Sequence, residues 1–481
     1  MKIAVVHYHL QPGGVTRVIE NTLQAWNENG NEIEAVALSG RTYLGKILPN
    51  TQTIEGLDYT SPQTKIAPQI LVDRMQTSAM ESLGQKPDLW HIHNHSLGKN
   101  PSLTEAVALL AQSGERILLH PHDFAEDGRP GNYLSLSEVY QRAYPTGPNI
   151  HYAALNQRDR SFLAHMLEDS PSPVHLLANA VPTVSSFPAQ QSNHQSGLPE
   201  NLFLYPVRAV RRKNLGELAL LASSHLDFHF ANSLGPTNPE FVPIFEEWKN
   251  FASELKLPLT YGLGQESDVS FPEMVRHAQC ILSVSVAEGF GLGFLEPWTF
   301  GKGLCGRNLP EITCDFAELG VSLQHLYNRM SIPLDCIQSV KNLKQTIQLA
   351  MEKFYQSYRQ DFPMHGADIA YKSMVQEDGI DFGRLDEKNQ KAIIRTISKS
   401  PDLQKLIRQH SNLQVLYKDL INANQLAVTE KFSLSSYADR TMKIYQSLME
   451  VDSTPDCQFA DGKMLLDQFL SPNRLNLLRT S

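Results

Sequence analysis

Cysteine is scarce in this chain: five among 481 residues, at positions 280, 305, 314, 336 and 457, with no Cys-x-x-Cys pair. An odd number of scattered thiols argues against a disulfide framework and fits reduced cysteines in a cytoplasm. Long apolar runs are also missing. None approaches the ~20 residues that a membrane helix needs, and the opening MKIAVVHYHLQPGG turns polar at His7, too early for a signal peptide. A cytoplasmic protein without an integral membrane segment is therefore expected. Nor is there an excess of positive charge. Lys and Arg number 42 against 51 Asp and Glu, a net −9, which argues against a nucleic-acid partner, because binders of nucleic acid usually present a basic face. The Gly-x-Gly-x-x-Gly fingerprint and its ribose acid are absent, which sets an NAD-linked enzyme last among the readings.

Hydrophobic residues make up 41% of the chain and charged ones 19%, the composition of a globular protein long enough for two or three domains. Up to residue 181, near-continuous apolar runs at Ile3–Val6, Ile33–Leu38, Leu89–His93, Ile117–His120, Ile150–Leu155 and His175–Ala178 predict parallel strands covered on both faces. Helical spacing at Thr16–Trp26 and Leu103–Gln112 lies between them, so the pattern is βαβ and the sheet doubly wound. Residues 182–201, rich in Ser, Gln, Pro and Asn, read as a linker. The alternation restarts with strands at Leu202–Val207, Leu226–Ala231, Leu259–Gly262 and Ile281–Val286, and helices at Leu215–Ser223, Phe241–Leu255 and Pro272–Ala278. Beyond Asp335 strand signals vanish, and residues 338–447 read as helical. The expected fold class is α/β. Two Rossmann-like domains with parallel sheets span 1–181 and 202–335, a mainly helical continuation spans 336–430, and a closing helix and tail span 431–481.

The run Ala287-Glu-Gly-Phe-Gly-Leu-Gly-Phe-Leu-Glu296 follows the last of these strands. A strand's carboxyl end, a glycine turn and a helix start form the place where such sheets bind ligands. Free N–H groups suit a phosphate, glycines let the backbone approach it, and carboxylates accept hydrogen bonds from ribose or sugar hydroxyls. Two carboxylates around one phosphate site describe a nucleotide sugar. The alternative is that Glu288 and Glu296 are solvated acids of a helix's first turn. Pro297 requires that the helix begin near Phe294 or bend after Glu296. Arg208, Arg211, Arg212 and Lys213 crowd the end of the second half's first strand, as a diphosphate requires; a solvated basic loop is the plainer reading. Gln11-Pro-Gly-Gly14, between the first strand and helix, is either a binding turn or an ordinary one. Histidines cluster as His91-Ile-His-Asn-His95 and His120-Pro-His-Asp123. His91, His93 and His95 share a strand face and can converge on zinc. No carboxylate or cysteine is spaced to close that site, so no metal is assigned. His122 with Asp123 is the better catalytic candidate.

Together these segments resemble the GT-B glycosyltransferases, and within them the retaining, family-4-like group of the glycogen synthase and sucrose synthase superfamily. The stretch from Ser285 to Glu296 is similar to that group's Glu-x7-Glu element, Arg208 and Lys213 to its Arg-x4-Lys pair, and Gln11–Gly14 to its Gly-Gly loop. Leu119–Asp123 resembles its strand ending in His-Asp, and Ala178–Val181 its Asn-Gly-Val segment. Order and spacing agree over about residues 1–310, and Phe432–Met449 resembles the closing helix that crosses back to the N-terminal domain.

The resemblance implies two Rossmann-like domains facing a central cleft. There a hexosyl group would pass, with retention, from a nucleoside-diphosphate sugar to a hydroxyl-bearing acceptor. It implies that Arg208, Lys213, Gly13 and Gly14 hold the donor diphosphate, that Glu288, Gly289, Phe290 and Gly291 meet the donor sugar, and that Glu296 binds the ribose. His122, Asp123 and Glu288 are the implied catalytic residues, and neither cofactor nor metal is called for. Three departures stand out. Pro297 replaces the usual Ala, Ala180 replaces the usual Gly, and residues 308–430 leave the common pattern. The segment Ile380–Asp386 and the helices after it look like an insertion that shapes acceptor access, mediates assembly into an oligomer, or packs. A GT-B sugar phosphorylase, a nucleotide-sugar epimerase and a non-catalytic nucleotide-sugar-binding or assembly protein stay open beside the transferase. Base, donor sugar and acceptor are not written in these motifs.

Overall fold

The computed structural model describes residues 1–30, 32–61, 64–182, 197–266, 269–377, 379–414 and 417–480. The chain divides into two compact units. The first is Met1–Pro182 with Glu430–Leu470; the second is the residues between, with those from Ser471 on. The linker expected over 182–201 lies outside the described residues from 183 to 196.

The strands of the first unit, in chain order, are β1 (Lys2–Val6), β2 (Glu34–Ser39), β3 (Thr51–Thr53), β4 (Leu89–His93), β5 (Ile117–His120), β6 (Pro145–Thr146), β7 (Ile150–Ala154) and β8 (Val174–Leu176). All but β6 form one parallel sheet in the order β3-β2-β1-β4-β5-β7-β8. Side chains alternate across it with period two. Ile3 and Val5 pack with Ile19, Leu23 and Trp26 of the helix Gly14–Glu28 and with Tyr437, Tyr445 and Leu448 of the helix Leu434–Met449. Ala4 and Val6 belong to the opposite layer, with Leu103, Val107 and Leu110 of the helix Pro101–Gln112. A sheet covered on both faces has no polar side, which is why its strands read as unbroken apolar runs.

The second unit repeats the plan. β9 (Leu202–Arg208), β10 (His229–Leu234), β11 (Leu259–Tyr261), β12 (Cys280–Ser283) and β13 (Leu304–Gly306) form a parallel sheet ordered β11-β10-β9-β12-β13. The helix Leu215–Ser224 after β9 is buried at all ten positions. The helices Glu387–Ile397 and Pro401–Ser411, from the region beyond the sheet, pack against it. Contact is closest at Gly216, where a Cβ would overlap Gln390 Oε1 and come within 2.9 Å of the Trp248 ring.

Several expectations need correction. Strand formation does not stop at Asp335: β14 (Ser331–Pro333), β15 (Val375–Gln376) and β16 (Gly379–Asp381) make a small antiparallel sheet, and β17 (Gln458–Phe459) pairs with β6. These strands have two or three residues, too few for a period to register in sequence. The strand expected at 226–231 is displaced to β10, because Leu226 is exposed and pairing with β9 begins at His229. The strand expected to reach Val286 ends at Ser283. The closing helix lies in the first unit, but residues from Ser471 belong with the second, so helix and tail part company. β3, β13 and the helices Pro68–Leu83 and Pro310–Glu318 were not anticipated. No helix among the described residues is long and apolar enough to cross a membrane.

Gly216→Ala is expected to lower stability by about 1–3 kcal/mol, the ordinary cost of overpacking. The midpoint of thermal or denaturant unfolding measures it; an unchanged midpoint would mean that Gln390 and Trp248 yield freely.

Candidate active site

Each sheet reverses its winding at one place. In the second unit the chain runs from β9 outward to β10 and β11, then crosses to β12 on the other flank of β9. The carboxyl ends of β9 and β12 are therefore neighbours whose connections diverge, the crevice in which doubly wound sheets bind ligands. Residues 208–214 leave from one strand and 284–296 from the other. The two segments are tied together. Val286 N–H donates to the Arg212 carbonyl at 2.9 Å, Tyr205 OH and Ser285 Oγ share a 2.5 Å hydrogen bond, and Lys213 Nζ is paired with Glu288 Oε1. Arg208 and Arg212 are exposed and have no ion pair among the described residues.

Glu296 is exposed and opens a helix of only four residues, Glu296–Thr299, with Pro297 near its start. Before it, Leu292–Phe294 forms a separate 3-10 turn entered through Gly291 at φ +91°. The helix thus begins two residues past Phe294, with Pro297 in its first turn, the first of the two arrangements that Pro297 allows. Gly291 turns the chain through the left-handed region, and a Cβ there would lie 3.1 Å from Ile312 and 3.2 Å from Phe294. Pro297 suits a first turn, where its missing N–H has no partner to lose. Four residues align few peptide dipoles, so any phosphate charge at this edge falls to Arg208, Arg212 and Lys213 and not to a helix end. Phe290 is buried edge-on against Phe316, with centroids 5.4 Å apart. The glycine loop therefore offers backbone, not an aromatic face.

In the first unit the reversal falls between β1 and β4. Gly13 is extended (φ −179°) and Gly14 begins the fifteen-residue helix Gly14–Glu28. Both are exposed, and a Cβ at Gly14 would meet nothing within 4 Å, so the chain's own packing does not demand glycine there. Beside this loop stands a stack of histidines. His91 and His93 share a face of β4 with ring centroids 4.3 Å apart. His91 bridges Tyr445 OH (Nδ1, 2.7 Å) and His120 Nδ1 (Nε2, 3.1 Å), while His93 Nδ1 meets His122 Nε2 at 2.8 Å.

His91, His93 and His120 bring one ring nitrogen each within 4.8 Å of the others. His95 is not among them: Asn94, at φ +56°, ends the strand, and His95 Nε2 instead meets the Ala143 carbonyl at 2.9 Å. The group contains no carboxylate; His91 and His120 bond each other and His93 bonds His122, as neutral imidazoles do when one nitrogen donates and the other accepts. Burial pushes the His91 pKa down to about 3 and that of His95 to about 4. Burial, then repulsion from neighbouring rings, holds His93, His120 and His122 well below the ordinary value.

His122 is fixed by its N–H to Asn94 Oδ1 at 2.6 Å. With Nε2 facing His93, Nδ1 is the nitrogen left for chemistry. Asp123 is paired with Arg129, and its N–H also reaches Asn94 Oδ1, at 3.2 Å. Among the described residues no hydrogen bond joins its carboxylate to the His122 ring. Asn94, which holds the N–H groups of His122 and Asp123, and Tyr205, which bonds Ser285, were not foreseen; a polar residue just past a buried strand was the only available signal for Asn94.

Two Rossmann-like units with parallel sheets and a closing helix returned to the first unit constitute the GT-B fold of glycosyltransferases. The chain is similar to sucrose-phosphate synthase of Thermosynechococcus elongatus (13% identity, TM-score 0.52, covering 94% of this chain and 100% of that one). It is also similar to a glycosyltransferase of Rickettsia africae (13%, 0.53, 94% and 99%) and to the catalytic domain of starch synthase IV of Arabidopsis thaliana bound to ADP and acarbose (11%, 0.51, 94% and 99%). In sequence it is 23% identical, over 99% of this chain and 97% of the relative, to mannosylglucosyl-3-phosphoglycerate synthase of Petrotoga mobilis. No family model matches the chain.

A buried neutral histidine has a folded pKa below its unfolded value near 6.5. Between the two values the unfolded chain binds more protons, so stability falls as pH drops from about 6.5 towards 3. His91→Gln is expected to flatten this acid limb by something on the order of 4 kcal/mol. Denaturant unfolding at successive pH values reads it, and an unaltered slope would show that His91 is not held neutral.

Proposed function

We propose that the chain is a retaining glycosyltransferase that moves a sugar from a nucleoside-diphosphate donor to a hydroxyl acceptor. The observation that carries this reading is the tie between two loops at the reversal point of the second sheet. One loop bears Arg208, Arg212 and Lys213; the other bears Glu288 and Glu296; Val286 and Arg212 join them. Arginine forks and a lysine charge suit diphosphate oxygens. Glu296, exposed, accepts ribose hydroxyls, and Glu288 accepts from the donor sugar once Lys213 turns to phosphate. In the first unit, Gly13 and Gly14 allow close approach of a ligand, and His122 offers Nδ1 for a hydrogen bond. The leaving diphosphate takes the acceptor's proton, so catalysis rests on positioning and charge stabilisation.

The GT-B fold supports the class, and the name of the Petrotoga relative supports a synthase acting on glycosides. That name also makes an acceptor ending in 3-phosphoglycerate the first to assay.

UDP, GDP and ADP with their sugars form the first screen. One base is expected to raise the melting temperature, because a ligand bound only by the folded state stabilises it by mass action. Lys213→Ala and Glu296→Ala are each expected to lower donor kcat/KM by roughly ten- to a hundredfold, the worth of a charge-assisted hydrogen bond. Losses of only a few fold in both variants would sink the site assignment.

A further inference from the structure

Residues 308–430 leave the common pattern, yet this stretch reaches the cationic turn. Asn214 closes the turn Arg211–Lys213 in the left-handed region, at φ +51° and ψ 56°. A non-glycine residue keeps that conformation when its surroundings fix it. Asn214 is buried and both ends of its amide are engaged. Nδ2 donates to Glu217 Oε2 at 2.8 Å. A carboxylate can only accept, so this bond fixes the amide's orientation and sends Oδ1 the other way. There Oδ1 accepts from Gln390 Nε2 at 2.9 Å. Gln390 sits on the helix Glu387–Ile397, is fully buried, and also donates to the Phe382 carbonyl at 3.2 Å. Glu217 accepts from Arg307 at 2.7 and 2.9 Å and from Tyr327 OH at 2.8 Å. Arg307 turns its other edge to Asp381, at 2.8 and 3.1 Å.

We propose that Gln390 is a positioning residue for the donor diphosphate. By holding Asn214 it fixes the backbone that aims Arg212 and Lys213, so the inserted helices serve the donor site from behind. The inference rests on the donor-site reading above. Without the Gln390 amide, Asn214 Oδ1 is buried with no donor, a costly state. The nearest relief is for Asn214 to leave the left-handed region, and Lys213, its neighbour in the chain, moves with it.

Gln390→Met keeps length and volume but removes the donor, and Gln390→Glu sets an acceptor against an acceptor. Asn214→Gly keeps the left-handed backbone without the tether. The comparison variant is Ile347→Val, a change at a fully buried position of the helix Val340–Ser357. Well below their melting temperatures, both Gln390 variants are expected to raise the Kd for UDP, GDP or ADP, whichever stabilises the protein most, and the donor KM, by roughly tenfold. Acceptor KM stays unchanged, and Ile347→Val alters none of these. Amide exchange across residues 209–214 speeds up in the Gln390 and Asn214 variants, with or without nucleotide. If only the melting temperature falls while affinity, donor KM and exchange hold, Gln390 merely packs and the proposal is overturned. If the unaltered protein binds no nucleoside diphosphate, the donor reading fails by itself. Exchange then decides the rest: faster exchange upholds the hold on the turn, and unchanged exchange overturns it.

Discussion

Arg307 lies almost without water between Glu217 and Asp381, and the second unit is assembled around it. Its partners are 90 and 74 residues away in sequence. Glu217 comes from the helix after β9, Arg307 follows β13, and Asp381 ends β16, so one guanidinium joins the parallel sheet to the small antiparallel one. Two carboxylates against one cation leave an excess negative charge in a dry place. Donors offset it: Tyr327 OH and the Asn214 amide serve Glu217, and the N–H groups of Met330 and Gly383 serve Asp381. Such a network adds little net stability compared with apolar packing, but removing one member strands the others and typically costs about 3–5 kcal/mol. It therefore acts mainly to fix which elements meet. Gly383 shows how closely they do, since a Cβ there would lie 2.5 Å from Arg307 Nη2.

The fold was legible where burial on both faces dictates composition. β4 and β5 lie where their apolar runs place them, because every residue of each is buried. β14, β15 and β16 were illegible because their pairing depends on tertiary contacts around Asp381 and not on local pattern. At the site, Arg208, Lys213, Glu288 and Glu296 could be read from charge at strand ends, a position that topology makes a crevice. Gln390 could not. It is a neutral amide on a helix whose Ile393, Ile394 and Ile397 announce only a buried face, and its partner Asn214 is 176 residues away. The histidines were half legible. Period two put His91 and His93 together, but a single left-handed residue, Asn94, removed His95 and let His120 take its place.

The histidine stack and the cationic turn solve opposite electrostatic problems. In the first unit, burial keeps rings neutral, so each His–His bond needs one donating and one accepting nitrogen, and fixing one tautomer constrains its partner. His122 inherits its orientation from His93 and Asn94 and presents Nδ1. In the second unit opposite charges meet at a partly open sheet edge, where neighbours and solvent both screen them.

Lys213 and Glu288 are the two residues to which resemblance gives separate duties, one towards diphosphate and one towards sugar, yet in this structure they are each other's partner. On the proposed reading the duties cannot be independent. A diphosphate oxygen that attracts Lys213 leaves the Glu288 carboxylate without its cation, and that carboxylate then seeks hydrogen-bond donors of the kind a sugar hydroxyl supplies. The pair also discriminates. A ligand with phosphates but no sugar separates it and returns nothing to Glu288, whereas a complete nucleotide sugar satisfies both groups. The physical constraint on donor choice thus lies less in either residue than in the exchange of one ion pair for two ligand contacts, made from a turn whose backbone Asn214 and Val286 already hold in place.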